Sequence, residues 1–60
     1  MKTEIVESWA NVPFIGIQVY KFADANKAFE HAKSEYMPYG YNTAYYCKDT
    51  GTLHIGKVFN

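Results

Sequence analysis

Only one segment of this chain repeats its apolar residues at helical spacing, and a single helix can cover only one face of a sheet. The segment begins after Asp24, which suits a helix N-cap because its carboxylate can accept hydrogen bonds from the exposed amides of the first turn. The apolar residues at helical spacing are Ala25, Ala28, Phe29, Ala32 and Tyr36. Pro38 disfavours a helical residue before it, and Gly40 suits a left-handed exit. We therefore predict one helix that ends at about residues 36–37.

The other regular segments alternate apolar and polar residues, as β-strands do. Residues 3–8 form a short candidate strand and residues 14–22 the strongest one, with a connection at residues 9–13. The last 20 residues predict a hairpin with its turn at residues 48–51. The order is β-β-α-β-β in a single domain spanning residues 1–60. We expect an α+β fold of two layers, with one helix packed on one face of a small, mainly antiparallel sheet.

The hairpin turn determines which residues of the sheet share a face. A three-residue loop with left-handed Gly51 pairs Lys48 with Thr52, and it therefore pairs Tyr45 with Ile55. On this register the helix covers one set of side chains: Ile15, Ile17, Val19, Tyr45, Cys47, Leu53 and Ile55. The uncovered face carries four aromatic side chains, those of Phe14, Tyr20, Phe22 and Tyr46. Monomers rarely expose apolar patches above roughly a few hundred Å², so we expect something to cover this face.

Size and charge limit the classes of partner and location. Sixty residues with one cysteine allow one small core and no internal disulfide, which favours the reducing cytoplasm. Six basic and six acidic residues give a net charge of zero, with no block of either sign, which argues against nucleic-acid binding. No apolar run reaches the about 20 residues that a membrane-spanning helix needs, so we expect no membrane association.

No set of residues predicts catalysis, a metal site or a cofactor site. Cys47 and His54 fall on opposite faces of the predicted hairpin, so they cannot form a nucleophile–base pair. A zinc site needs three or four ligands at recognisable spacing, which we do not find. The triplet Asp49-Thr50-Gly51 also occurs in aspartic proteases, but here its residues are typical of a hairpin turn. We therefore expect neither an enzyme nor a protein that holds a metal or cofactor.

Tyrosines are concentrated in residues 36–46, which hold five of the six in the chain. Tyr36 and Tyr45 are expected to fill the core, since a buried ring can keep its hydroxyl in water. Tyr39, Tyr41 and Tyr46 are expected to contact a partner, because tyrosine supplies large, rigid contact area at low entropic cost.

The predicted partner-binding surface combines the aromatic sheet face with its surroundings: Trp9, Phe14, Tyr20, Phe22, Tyr39, Tyr41 and Tyr46. Our first hypothesis is a small intracellular protein-binding domain, whose partner is another protein or a second copy in a homodimer. Phage- and virus-encoded inhibitors of host proteins are often this small, so the chain is expected to act by occupying a partner's surface, in the host cytoplasm if it is virus-encoded. An alternative is a single-stranded nucleic-acid binder that stacks bases on sheet aromatics, although the chain has no arginine. A minor enzyme subunit or structural component is a third hypothesis, which no residue supports or opposes.

Overall fold

The computed structural model describes residues 1–14 and 16–58, without the side chain of Trp9. Its regular elements are β1 (Lys2–Val6), β2 (Ile17–Val19), α1 (Ala25–Glu35), β3 (Thr43–Cys47) and β4 (Thr52–Gly56). Two short 3-10 helices, Trp9–Asn11 and Met37–Tyr39, lie in the connections. The predicted β-β-α-β-β order and the α+β class are confirmed. Among the described residues, no helix is long and apolar enough to cross a membrane.

The four strands form one mixed sheet in the order β1-β3-β4-β2. β1 pairs with β3 in parallel, whereas β3 with β4 and β4 with β2 pair antiparallel, so the sheet is mainly antiparallel as predicted. β1, β2 and β3 therefore run in the same direction, and α1 is the crossover connection from β2 to β3. Because β1 and β2 lie at opposite edges, the chain must cross the sheet between them.

Local sequence decides where α1 begins and ends. The Asp24 carboxylate accepts a hydrogen bond from a backbone amide of the first turn at 2.9 Å, which confirms the predicted N-cap. Tyr36 is the C-cap, and one 3-10 turn leads to Gly40, which has a positive φ of 91°. Ala28 and Ala32 are fully buried against the sheet. The predicted sheet-facing side of the helix is thus confirmed.

The turn between β3 and β4 contains four residues rather than three, so the predicted register is wrong by one residue. Tyr45 pairs with His54 and not with Ile55. Gly51 adopts the expected left-handed conformation, with a φ of 69°, but its N–H donates to the carbonyl of Cys47 at 2.9 Å and closes a wider turn. Because successive side chains point to opposite faces, the slip moves every β3 side chain to the other face.

The face beneath α1 therefore carries Tyr46 and not Tyr45. Its buried core consists of Ala28, Ala32, Ala44, Tyr46, Leu53 and Ile55. The prediction that Leu53 and Ile55 lie beneath the helix is confirmed, whereas the placement of Tyr45 beneath it and of Tyr46 on the open face is wrong. The error arises in β3 alone, since the β4 residues keep their predicted face.

β2 is shorter than the predicted strand of residues 14–22. Ile17 and Val19 pair with buried residues of β4 and lie on the helix side as predicted, whereas Ile15 falls outside the described residues. Lys21 has a positive φ of 71°, which breaks the alternation of side chains after β2. Phe22 consequently packs at the border of the core beneath α1, so its predicted place on the open face is wrong.

The opposite side of the sheet, here called the far face, is partly covered by the chain itself. The connection from β1 to β2 crosses this face, and Val12 and Phe14 pack against the cluster that contains Tyr45 and Cys47. The rings of Phe14 and Tyr45 meet edge-on, with 5.4 Å between their centroids. Phe14 lies on the predicted face, but it shields neighbouring residues instead of facing water, because the strand order forces its segment across the sheet.

Candidate binding site

Two of the seven predicted partner-binding residues belong to the core beneath α1. Tyr46 is 7% exposed, and its hydroxyl donates a hydrogen bond to the backbone carbonyl of Phe22 at 2.9 Å. The ring of Phe22 lies 5.2 Å from that of His31 on the helix, measured between centroids. Phe22, in the segment before α1, therefore contacts both β3, through Tyr46, and α1, through His31. Since Phe14 lies on the other side of the sheet, the predicted continuous aromatic face does not form.

Two further predicted residues, Tyr20 and Trp9, lie in the segments that flank β2 and β1. Tyr20 follows β2 at a sheet edge and is 56% exposed, with its hydroxyl 3.4 Å from the Gln18 side-chain oxygen to which it donates. The backbone of Trp9 belongs to the first 3-10 helix, and its side chain lies outside the described part of the structure. The binding roles of both residues stay predictions.

The remaining three predicted residues lie at one end of the sheet, where β3 begins and β4 ends. Phe14 packs so closely over Gly56, the last residue of β4, that a Cβ there would lie 2.7 Å from the ring. Tyr39 and Tyr41 precede β3, and the Lys57 ammonium lies 4.8 Å from the centre of the Tyr41 ring. We call this region the aromatic end: Lys2, Phe14, Met37, Tyr39, Tyr41, Lys57 and Val58.

Asn42 fixes the segment after β4 to the start of β3. Its side-chain oxygen accepts a hydrogen bond from the Val58 N–H at 2.9 Å, and its amide donates to the Val58 carbonyl at 2.8 Å. These two hydrogen bonds take the place of a pair of backbone hydrogen bonds between neighbouring strands. They hold Val58 over the far face, where it lines a cleft. Sequence reasoning missed Asn42 and Val58, because their contact joins residues 16 positions apart.

A cleft of about 550 Å³ opens on the far face at this end, and we call it the far-face cleft. It is lined by Lys2, Pro13, Phe14, Asn42, Thr43, Tyr45 and Val58. The Thr43 hydroxyl donates to the Asn42 side-chain oxygen at 2.8 Å, so both polar side chains already hold internal hydrogen bonds. The Lys2 ammonium lies 6.0 Å from the centre of the Tyr45 ring, and no carboxylate is among the described lining residues. The cleft therefore offers apolar walls and one cation.

A second groove, of about 310 Å³, lies on the helix side of β1 near the hairpin turn. It is lined by Ile5, Ala23, Asp24, Ala25, Tyr46 and Lys48. Asp24 already caps α1. The groove is lined by one acidic and one basic residue, Asp24 and Lys48, so its lining carries no net charge. Ile5 is 53% exposed here, because α1 packs over β3 and β4 and leaves this part of β1 uncovered.

Cys47 and His54 share the far face, so the prediction that they lie on opposite faces is wrong. Both side chains are fully buried, and the β1–β2 connection packs against the cluster that contains Cys47, so a substrate cannot reach the Cys47 sulfur. Burial lowers the pKa of His54 below its usual 6.5, which favours the neutral imidazole in the folded chain. Within the described residues, no group of three or more His, Cys, Asp or Glu side chains is placed to hold a metal ion.

Comparison with protein-family models, with curated proteins and with solved structures found no significant match for this chain.

Proposed function

We propose that this chain is a small protein-binding domain that contacts its partner through the aromatic end. The observation that supports this most directly is the exposure of large apolar side chains there: Tyr39 is 73% exposed, Met37 46% and Val58 42%. Tyrosine and methionine are enriched at the centres of protein interfaces. Val58 also lines the far-face cleft, so the same end has both projecting side chains and a recess.

The backbone of the aromatic end is held in place before any partner binds. Pro38 and the left-handed Gly40 define the 3-10 turn that presents Tyr39. Tyr41 is fixed edge-on against Tyr36, with 5.8 Å between ring centroids. A surface that is already ordered loses less conformational entropy on binding, which favours recognition by so small a domain.

The proposed action is to occupy a surface of the partner, as an inhibitor or modulator does. Cys47 is a free thiol, so we place the domain in the reducing cytoplasm, that of a host cell if the chain is phage- or virus-encoded. Stacking of single-stranded nucleic acid has less support, because Phe22 and Tyr46 belong to the core and the net charge is zero.

Site-specific photo-crosslinking in the cells that naturally make this chain tests the proposal. A photoreactive phenylalanine analogue replaces Tyr39 in one sample and Tyr20, an exposed tyrosine at the β2 edge, in the control. We expect a discrete protein adduct from position 39 and none from position 20, because only the first belongs to the aromatic end. Adducts of equal yield from both positions, or none from position 39, would overturn the proposed surface.

A further inference from the structure

β1 lies at one edge of the sheet, with β3 on its inner side. The Lys2 N–H and the Val6 carbonyl form backbone hydrogen bonds of 2.8 and 2.9 Å with the residues that flank β3. Backbone groups of successive strand residues point to opposite sides, so the N–H and C=O groups of Thr3 and Ile5 point away from β3. Such an edge is a template for pairing with a further strand.

The side chains of β1 divide between the two faces of the sheet. Lys2 and Glu4 are exposed on the far face, and Thr3 and Ile5 are exposed on the helix side. Ile5 is 53% exposed, a large apolar side chain that α1 leaves uncovered. Met1 packs against the core beneath α1, so it also lies on the helix side. The edge therefore presents a charge of each sign on one face and apolar groups on the other.

We propose that β1 pairs antiparallel with β1 of a second copy of this chain, about a two-fold axis at Thr3. The axis is perpendicular to the sheet, so each face of one copy continues into the same face of the other, as an isologous interface requires. On the far face, Lys2 of each copy then lies opposite Glu4 of the other. On the helix side, Ile5 lies opposite Met1 of the second copy, which shields it from water. Opposite-charge and apolar cross-strand pairs of this kind stabilise antiparallel strands.

The order of residues along β1 selects this register. Antiparallel pairing requires that residues with outward-pointing backbone groups lie opposite one another, which holds when Thr3 lies opposite Thr3. Sliding the second copy by two residues keeps this match, but it places Glu4 opposite Glu4 in one direction and Lys2 opposite Lys2 in the other. Like charges directly opposite each other are destabilising. Charges on edge strands commonly prevent pairing, whereas here their order permits a second copy in one register.

The dimer goes beyond the proposed function and does not rest on it, because it uses none of the side chains that carry that proposal, Met37, Tyr39 and Val58. The net charge of zero gives no overall repulsion between copies. Pairing through one short strand from each copy makes a small interface, so we expect a weak and reversible dimer.

Analytical ultracentrifugation between about 10 µM and 1 mM protein, a range that covers weak affinities, tests the dimer. We expect a reversible rise from the monomer mass of 6.9 kDa to twice that value. Lys2→Glu alone and Glu4→Lys alone each place like charges at both far-face pairs, and each should weaken its own dimer roughly tenfold. An equimolar mixture of the two variants restores opposite charges and should recover the dimer, as should one chain that carries both substitutions. Circular dichroism confirms that each variant is folded.

Matched substitutions away from β1 serve as controls. Glu30→Lys and Lys33→Glu reverse exposed charges on α1 and should leave the association of each variant unchanged. Tyr39→Ser should also leave it unchanged, because Tyr39 belongs to the aromatic end. A wild-type chain that stays monomeric throughout, or a dimer insensitive to both β1 reversals, would overturn the proposal. Loss of the dimer in Tyr39→Ser would overturn it as well, since the copies would then associate through the aromatic end.

Disulfide trapping tests the register independently of charge. Thr3→Cys places a thiol at the axis, where the Cα atoms of a hydrogen-bonded antiparallel pair lie about 5.5 Å apart, within the range that disulfides span. Ile5→Cys is displaced from its counterpart by four residues, about 14 Å at the rise of a strand, which is too far for a disulfide. Under mild oxidation we expect a linked dimer from Thr3→Cys at several times the yield from Ile5→Cys. Equal yields, or a higher yield from Ile5→Cys, would contradict the proposed pairing.

Discussion

Replacing Tyr46 by phenylalanine removes one hydroxyl from the core beneath α1 and tests the four-residue turn of the hairpin. The hydroxyl donates to the Phe22 carbonyl at 2.9 Å, and the side chain is 7% exposed. Phenylalanine fills the same ring volume, so the substitution removes the hydrogen bond without opening a ring-sized cavity.

The expected loss follows from this one bond. A typical hydrogen bond contributes about 0.5–1.5 kcal/mol net, and a buried carbonyl left without a partner costs about 1–3 kcal/mol. We expect the free energy of unfolding to fall by about 1–2 kcal/mol, from a total of roughly 3–5 kcal/mol for a domain of this size. Each kcal/mol shifts the melting temperature of a small domain by about 4–8 °C, so Tm should fall by roughly 5–15 °C.

Thermal melts followed by circular dichroism measure the loss, with Tyr45→Phe as the matched control. Tyr45 is also 7% exposed but lies on the far face, where it lines the cleft, so its variant should change stability by less than about 0.5 kcal/mol. A three-residue turn would reverse the roles of the two tyrosines. A larger loss for Tyr45→Phe than for Tyr46→Phe, or no loss for either, would refute the observed register.

Three further outcomes can be measured on the purified chain. Burial lowers the pKa of His54, so below about pH 6.5 the unfolded chain binds a proton that the folded chain does not. The contribution of His54 to the free energy of unfolding should therefore be constant above about pH 7. Below that pH, the free energy of unfolding should fall by up to about 1.4 kcal/mol per pH unit. Urea midpoints between pH 7 and pH 5 measure this slope, and a flat profile would contradict the prediction. Gly16→Ala should lower the free energy of unfolding by about 1–3 kcal/mol in urea denaturation, because the added Cβ would clash with the backbone oxygen of Ile55; an unchanged midpoint would show that the close approach is not needed. Mobility-shift assays at micromolar protein and about 50 mM salt should show no binding of oligonucleotides, and a salt-sensitive shift would favour the nucleic-acid alternative.

The helix and the order of elements could be predicted from sequence, because local interactions decide them. The Asp24 cap, the apolar spacing of α1 and the exit through Pro38 and Gly40 each involve residues within one or two turns of one another. Such contacts form with little dependence on the rest of the chain, so the sequence pattern carries the information directly.

The faces of β3 could not be predicted in this way. The turn residues 48–51 are compatible with both a three- and a four-residue loop, so turn chemistry alone leaves the register open. All five residues of β3, Thr43–Cys47, are buried, because the helix covers one side of this strand and the β1–β2 connection approaches the other. A strand buried on both sides shows no alternation of polar and apolar residues, so its sequence does not say which side faces the helix.

The aromatic end depends entirely on tertiary structure. Phe14, Asn42 and Val58 come from three separate segments, and they meet only because β1 and β2 lie at opposite edges of the sheet and Asn42 holds the chain beyond β4. Sequence identified Phe14, Tyr39 and Tyr41 as residues for a partner, from the general properties of aromatic side chains. Their meeting at one end of the sheet follows from strand order, which is set by packing between distant parts of the chain rather than by any local pattern.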